Sequence, residues 1–171
     1  MIMVCNKARA FNPFASEAAP RRRQPLECMT ADILLVEDEP NDAELTLRAL
    51  RDCGLAHRAE HVTDGAEALD YLAAVNYNAS NGAKLPKLIL LDLRLHKIGG
   101  LQVLRQLKSD EHTRGIPIVV FSSSKMAIEI IESYKFGVNS YVLKPTDGKE
   151  FARVASAIGH YWLSINTPAQ A

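Results

Sequence analysis

The chain has 171 residues, 20 of them basic and 20 acidic, with 47% hydrophobic and 6% aromatic residues, which is room for one ordinary domain and a tail. No apolar run approaches the roughly 18 residues of a membrane span; the longest, Leu88–Leu91 and Ile116–Phe121, are the length of buried strands. Charge is uneven: residues 1–30 hold five basic and two acidic residues, leaving 15 and 18 for the rest, and a mildly acidic body has no long-range attraction for nucleic acid.

Residues 1–30 read as a disordered N-terminal extension, mixing Pro13, Pro20 and Pro25 with Arg21-Arg22-Arg23 and showing no sustained period. No long apolar segment follows an early positive charge, so a secretory signal is not expected and the cytoplasm is the default location. Met29, just before the first strand, is an alternative translation start. Cys5, Cys28 and Cys53 form no CxxC pair and no zinc spacing, so they read as reduced structural thiols.

From Ala31 short apolar runs alternate with helical patterns. The first strand is Ile33–Val36, followed by a helix with Pro40 in its first turn and Glu39 and Asp42 at its positive end. Ala43, Leu47 and Leu50 recur at helical spacing, and Gly54 ends the helix. A more polar run, roughly His57–Val62, suits an edge strand. Asp64 can cap a second helix carrying Ala68, Leu69 and Leu72, and residues 75–84, rich in asparagine, read as a long loop. Leu88–Leu91 is the third strand; Leu101, Leu104 and Leu107 mark a third helix. After the fourth strand, Ile116–Phe121, Ser123 or Ser124 can cap a helix carrying Ile128 and Ile131, closed by Gly137. Ser140–Leu143 is the fifth strand. Asp147 can cap a last helix whose apolar stripe runs from Phe151 to Ile165, long enough to serve a dimer face; residues 166–171 read as a flexible tail. Five strands alternating with five helices predict a single α/β domain, 31–165, with a parallel sheet buried between helices.

In such a sheet chemistry gathers at the carboxyl ends of the strands. Strand one ends in Glu37-Asp38, strand three in Asp92, strand four in Ser122, and Lys144-Pro145 follows strand five. With strands one and three adjacent, Glu37, Asp38 and Asp92 crowd together and stay ionised only beside a cation or with one protonated. A carboxylate cluster lacking histidine or cysteine suits a hard ion such as Mg²⁺. Lys144 and Ser122 would add an ammonium and a hydroxyl, completing a site able to stabilise a phosphoryl group in transfer to Asp92. Taken alone, Glu37-Asp38-Glu39 is equally a negative helix start and Asp92 a cap. Pro145 invites a cis bond that would aim Lys144 into the pocket. The remaining histidines, His57, His61, His112 and His160, lack ligand spacing and read as surface or strand residues.

LLVEDEP, LILLDLRL, VVFSSS and SYVLKP resemble, in order and spacing, the motifs of the response-regulator receiver family over about Ala31 to Ile165. The resemblance implies a flavodoxin-like (βα)5 fold with strand order 2-1-3-4-5. It implies Asp92 as phosphoacceptor, and Glu37, Asp38, Asp92 and the backbone carbonyl of Arg94 as Mg²⁺ ligands. Ser122 would sense the phosphoryl group, Lys144 would pair with it, and Tyr141 would be the aromatic switch. The extended loop before strand three, VNSYVLKP and GHYWLSIN are similar to the single-domain regulators of phytochrome-type sensor kinases. That implies a sensor histidine kinase as donor, a homodimer, a downstream protein the sequence does not name, and neither a DNA-binding domain nor a membrane. His96 and Gly99 depart from the family, which usually has Pro and often Asp there; without the proline ring the loop over Asp92 is freer. A phosphate-independent interaction module and a phosphotransfer intermediate or phosphate sink are the alternatives. No second carboxylate stands two residues after Asp92, where Arg94 is found, so a hydrolytic phosphatase is disfavoured.

Overall fold

The computed structural model describes residues 31–52 and 59–167. The elements are β1 (Ile33–Val36), α1 (Pro40–Asp52), β2 (Ala59–Val62), α2 (Gly65–Tyr77), β3 (Leu88–Leu91), α3 (Gly100–Ser109), β4 (Ile118–Ser122), α4 (Ala127–Lys135), β5 (Ser140–Leu143) and α5 (Gly148–His160). All strands are parallel, in the order β2-β1-β3-β4-β5. The predicted extension 1–30, Gly54, His57 and the end of the tail lie outside the described residues.

Alternate side chains of a strand point to opposite faces, and the sheet accordingly supports two cores. Leu34, Val36, Ile89, Leu91 and Val120 pack with Leu72 of α2 and Val103 and Leu104 of α3. Ile33, Leu35, Leu88, Leu90 and Phe121 pack with Ala43 and Leu50 of α1 and Phe151 and Ala155 of α5, where the rings of Phe121 and Phe151 lie 5.0 Å apart. Each fully buried Leu, Ile or Phe contributes about 1.5–3 kcal/mol. β1, β3 and β4 are therefore fixed in register from both sides, and so are the residues that follow them.

The caps explain the helix starts. Asp64 Oδ1 accepts from Glu67 N at 2.9 Å, and Asp147 Oδ1 accepts from Glu150 N at 2.9 Å. Gly137, at φ +90°, closes α4 with Gly137 N donating to Tyr134 O and Val138 N to Ser133 O. Four expectations need correction. The expected loop over residues 75–84 is partly helical, since α2 runs on to Tyr77 and a short 3-10 turn covers Ala79–Asn81, although residues 78–87 still make a long connection to β3. β4 starts at Ile118, because Pro117 has no N–H for the ladder. Neither Ser123 nor Ser124 is the N-cap of α4; that position is Met126, without a side-chain cap, while Ser124 Oγ accepts from Met126 N at 3.4 Å. The last apolar stripe is not one helix: α5 ends at His160 and a widened π turn covers Tyr161–Ile165, turning Tyr161 and Ile165 to solvent and Trp162 and Leu163 onto the α1–α5 core. No helix among the described residues is long and apolar enough to cross a membrane.

Candidate functional site at the carboxyl edge of the sheet

The parallel ladder delivers the predicted residues to one place. Val36 pairs with Leu91, so Glu37 and Asp92 leave neighbouring strands side by side. Glu37 N donates to Val62 O, Asp92 N to Val36 O and Lys144 N to Ser122 O, at 2.9–3.1 Å. Each functional residue is thus held by one further ladder bond just past its strand.

At the centre is the ammonium of Lys144, whose side chain is only 4% exposed. It donates to Glu37 Oε2 at 2.6 Å, Asp92 Oδ2 at 2.7 Å and Asp42 Oδ2 at 2.8 Å. The other oxygen of Asp92 accepts from Ser122 Oγ at 2.5 Å and from Arg94 N at 3.1 Å. Glu37, Asp38 and Asp92 each bring a carboxylate oxygen within 4.8 Å of the others. Tyr141 is half-buried on β5, with its hydroxyl donating to Ser124 O at 3.0 Å. Asp92, Glu37, Lys144, Ser122 and Asp38 are therefore brought together, and Tyr141 stands one loop away.

The expected cis bond before Pro145 is absent: the described residues hold no cis peptide. Lys144 reaches the pocket with a trans bond because its own N–H is already fixed to Ser122 O.

Two further residues went unread as site residues. In the sequence Asp42 belongs only to the helix start, yet the first turn of α1 turns it onto Lys144. His61 is a residue of strand β2, as expected, and its Nε2 lies 2.8 Å from Glu37 O. Asp42 lies four residues after Asp38, one turn of helix away, which could have flagged it. Nothing in the sequence marks His61.

The electrostatics follow from burial. Desolvation lifts the Glu37 carboxyl to about 7, against the pull of the Lys144 charge. Burial also acts to raise Asp92, but the Lys144 charge and the hydrogen bonds from Lys144, Ser122 and Arg94 outweigh it, and Asp92 lies below its ordinary range. Burial acts to lower Lys144, but Asp92, Glu37 and Asp42 around it win, holding it above its ordinary value. One ammonium thus meets three carboxyl groups, and Asp38 adds a fourth at the mouth. An oxygen-rich, negatively charged pocket of this kind fits a hard divalent cation.

A profile of the response regulator receiver domain matches residues 33–155. The chain belongs to that family. Among curated relatives, the "Probable methanogenesis regulatory protein FilR2" of Methanothrix harundinacea is 41% identical over 134 residues, covering 78% of this chain and 84% of that protein. Response regulator Rcp1 of Synechocystis is 33% identical, covering 80% and 92%, and the crystal structure of its Mn²⁺-bound form superposes with a TM-score of 0.72. The phosphorylated cyanobacterial phytochrome response regulator RcpA superposes with a TM-score of 0.74 at 36% identity, covering 82% of this chain and 99% of that one. This receiver is a signalling domain homologous to single-domain response regulators, and a phosphoacceptor role fits its site.

Proposed function

We propose that the chain is a two-component response regulator that takes a phosphoryl group onto Asp92 from a phosphohistidine of a sensor kinase, and that residues 31–165 form its receiver unit. The observation that carries this reading is the Asp92 carboxylate held between the Lys144 ammonium and the Ser122 hydroxyl, beside two more carboxylates. Asp92 is kept ionised, as a nucleophile must be. An Asp92 oxygen attacks phosphorus, a P–O bond forms as the P–N bond to imidazole breaks, and Lys144 and Ser122 hydrogen-bond the oxygens of the transferred group.

Glu37, Asp38, Asp92 and the Arg94 carbonyl would hold Mg²⁺, which when bound supplies charge neutralisation for the phosphoryl oxygens. The Mn²⁺-bound Rcp1 structure supports a divalent ion here. Drawing Ser122 onto the phosphoryl group shifts the β4–α4 loop, and Tyr141, bonded to Ser124 in that loop, transmits the shift. The likeness to RcpA and Rcp1 favours a phytochrome-type kinase as donor, and the same reading takes in a cytoplasmic setting, a homodimer and a downstream protein partner. The test is incubation with Mg²⁺ and acetyl phosphate followed by intact-mass measurement. Wild type gains one phosphoryl group and Asp92→Asn gains none; an unmodified wild type, even with a cognate kinase, favours a phosphate-independent binding module.

A further inference from the structure

Glu37 and Asp38 share a peptide bond, and each carries a carboxylate of the cluster. Glu37 N donates to Val62 O, and the Glu37 carboxylate is held by Lys144. The Glu37 carbonyl lies one residue beyond the last pair of the β1–β2 ladder, Val36 with Val62. Glu37 is 1% exposed, so that carbonyl needs a donor from the protein. Thr63 N, next along the chain after β2, does not serve it, because that N–H donates to Glu67 Oε2 at 2.9 Å. The donor is His61. Its Nε2 lies 2.8 Å from Glu37 O, and since a carbonyl only accepts, Nε2 carries the hydrogen. His61 stands opposite Leu35 in the register, so the half-buried imidazole reaches forward past the end of the strand to grip the peptide between Glu37 and Asp38.

Asp38 depends on that grip more than its neighbours do. Lys144 reaches Glu37, Asp42 and Asp92, whereas the Asp38 carboxylate meets the ring of His96, which is 86% exposed. Holding the Glu37 carbonyl fixes the torsion that places the Asp38 Cα, and with it the direction from which the Asp38 side chain enters the cluster. We infer that His61 is a positioning residue of the cation site: it aims Asp38 through the Glu37 carbonyl, and so sets how tightly a divalent ion is held, without touching the ion or the phosphoryl group. Mg²⁺ demands a near-ideal oxygen shell, and groups that orient ligands from behind govern affinity by about 10–100-fold. The space left by a missing imidazole admits water, which can replace the hydrogen bond but not its fixed direction. The fold therefore outlasts the loss while the aim does not. The proposal rests on the reading of this pocket as a cation site.

The experiment uses the full, tag-free chain stripped of metal, as wild type, His61→Ala, His61→Asn and His61→Gln. Glutamine is the informative replacement: its amide nitrogen is as many bonds from Cβ as the imidazole Nε2, whereas that of asparagine is one bond short. Mg²⁺ binding is followed by calorimetry, Mn²⁺ binding by loss of the free-ion EPR signal, and the fold by thermal melts in chelator. The expected result is about a tenfold loss of affinity for both ions in His61→Ala and His61→Asn, with recovery in His61→Gln and melting temperatures that do not follow that order. If His61→Ala binds as tightly as wild type, or if affinity falls in step with melting temperature and His61→Gln recovers nothing, the role of His61 is overturned while the cation site stands. If wild type binds neither ion, the cation site falls, and the role of His61 with it.

Discussion

Gly100, the first residue of α3, sets how closely that helix approaches the acceptor segment. A Cβ there would lie 2.1 Å from Asp92 O, 2.6 Å from Leu93 Cα and 2.9 Å from Asp92 C. All three are backbone atoms, so no side chain can swing aside and the chain must move by about 1 Å to reach ordinary contact. Overpacking of this kind costs about 1–3 kcal/mol. The gain from replacing glycine in a helix is at most about 1 kcal/mol and smaller in a first turn, so the clash wins. Gly100→Ala is expected to destabilise by about 2 kcal/mol, lowering Tm by about 8 °C for a domain of this size. Because the atoms that must yield belong to Asp92 and Leu93, the carboxylate is displaced from Lys144 and Ser122, and phosphorylation by acetyl phosphate slows as well. Gly148 is the control, since nothing lies within 4 Å of its Cβ position. Thermal melts and adduct-formation rates of wild type, Gly100→Ala and Gly148→Ala decide the matter. A Gly100→Ala protein as stable and as fast as Gly148→Ala refutes the reasoning.

Lys144→Met leaves Glu37 and Asp92 buried without their cation, and breaking such a pair costs about 3–5 kcal/mol; in chelator the urea midpoint falls accordingly, and added Mg²⁺ recovers part of the loss. Glu37 makes the metal-free protein sensitive to pH. Its folded carboxyl, lifted from 4.5 to about 7, binds its proton more tightly than in the unfolded chain. The stability it provides is therefore whole below about pH 4.5 and is lost as pH rises through 7, by about 3 kcal/mol in all. Asp92, shifted the other way, exerts its opposite effect only at more acid pH. Urea unfolding in chelator between pH 5 and 8 should show the decline, and Glu37→Gln should flatten it.

The sheet was legible because β1, β3 and β4 are buried on both faces and so appear as unbroken apolar runs. Glu37, Asp92 and Ser122 were legible for the same reason, since each stands at the end of such a run, where the pleat and the ladder leave little freedom. Asp42 and His61 were not, because their roles depend on how α1 is rotated about its axis and how β2 is registered against β1. Those are tertiary quantities that no local pattern encodes. The contact of His96 with Asp38 depends in the same way on a left-handed residue, Lys97, where a turn would ordinarily advertise itself by glycine or asparagine. The break at His160 is equally silent in the sequence, since an apolar spacing that suits a helix suits a π turn almost as well.

The shared ammonium of Lys144 has a mechanical meaning. It ties β5 to β1, to β3 and to the first turn of α1 at one point, and it has no fourth proton to donate. Any anion that enters and claims one of its hydrogens must take it from a carboxylate. Asp42, the most exposed of the three at 31%, has water ready to replace the lost bond and gives way most cheaply. Arrival of a ligand at the sheet's rim is thereby felt first as a loosening at the start of α1, on the side of the molecule away from Tyr141.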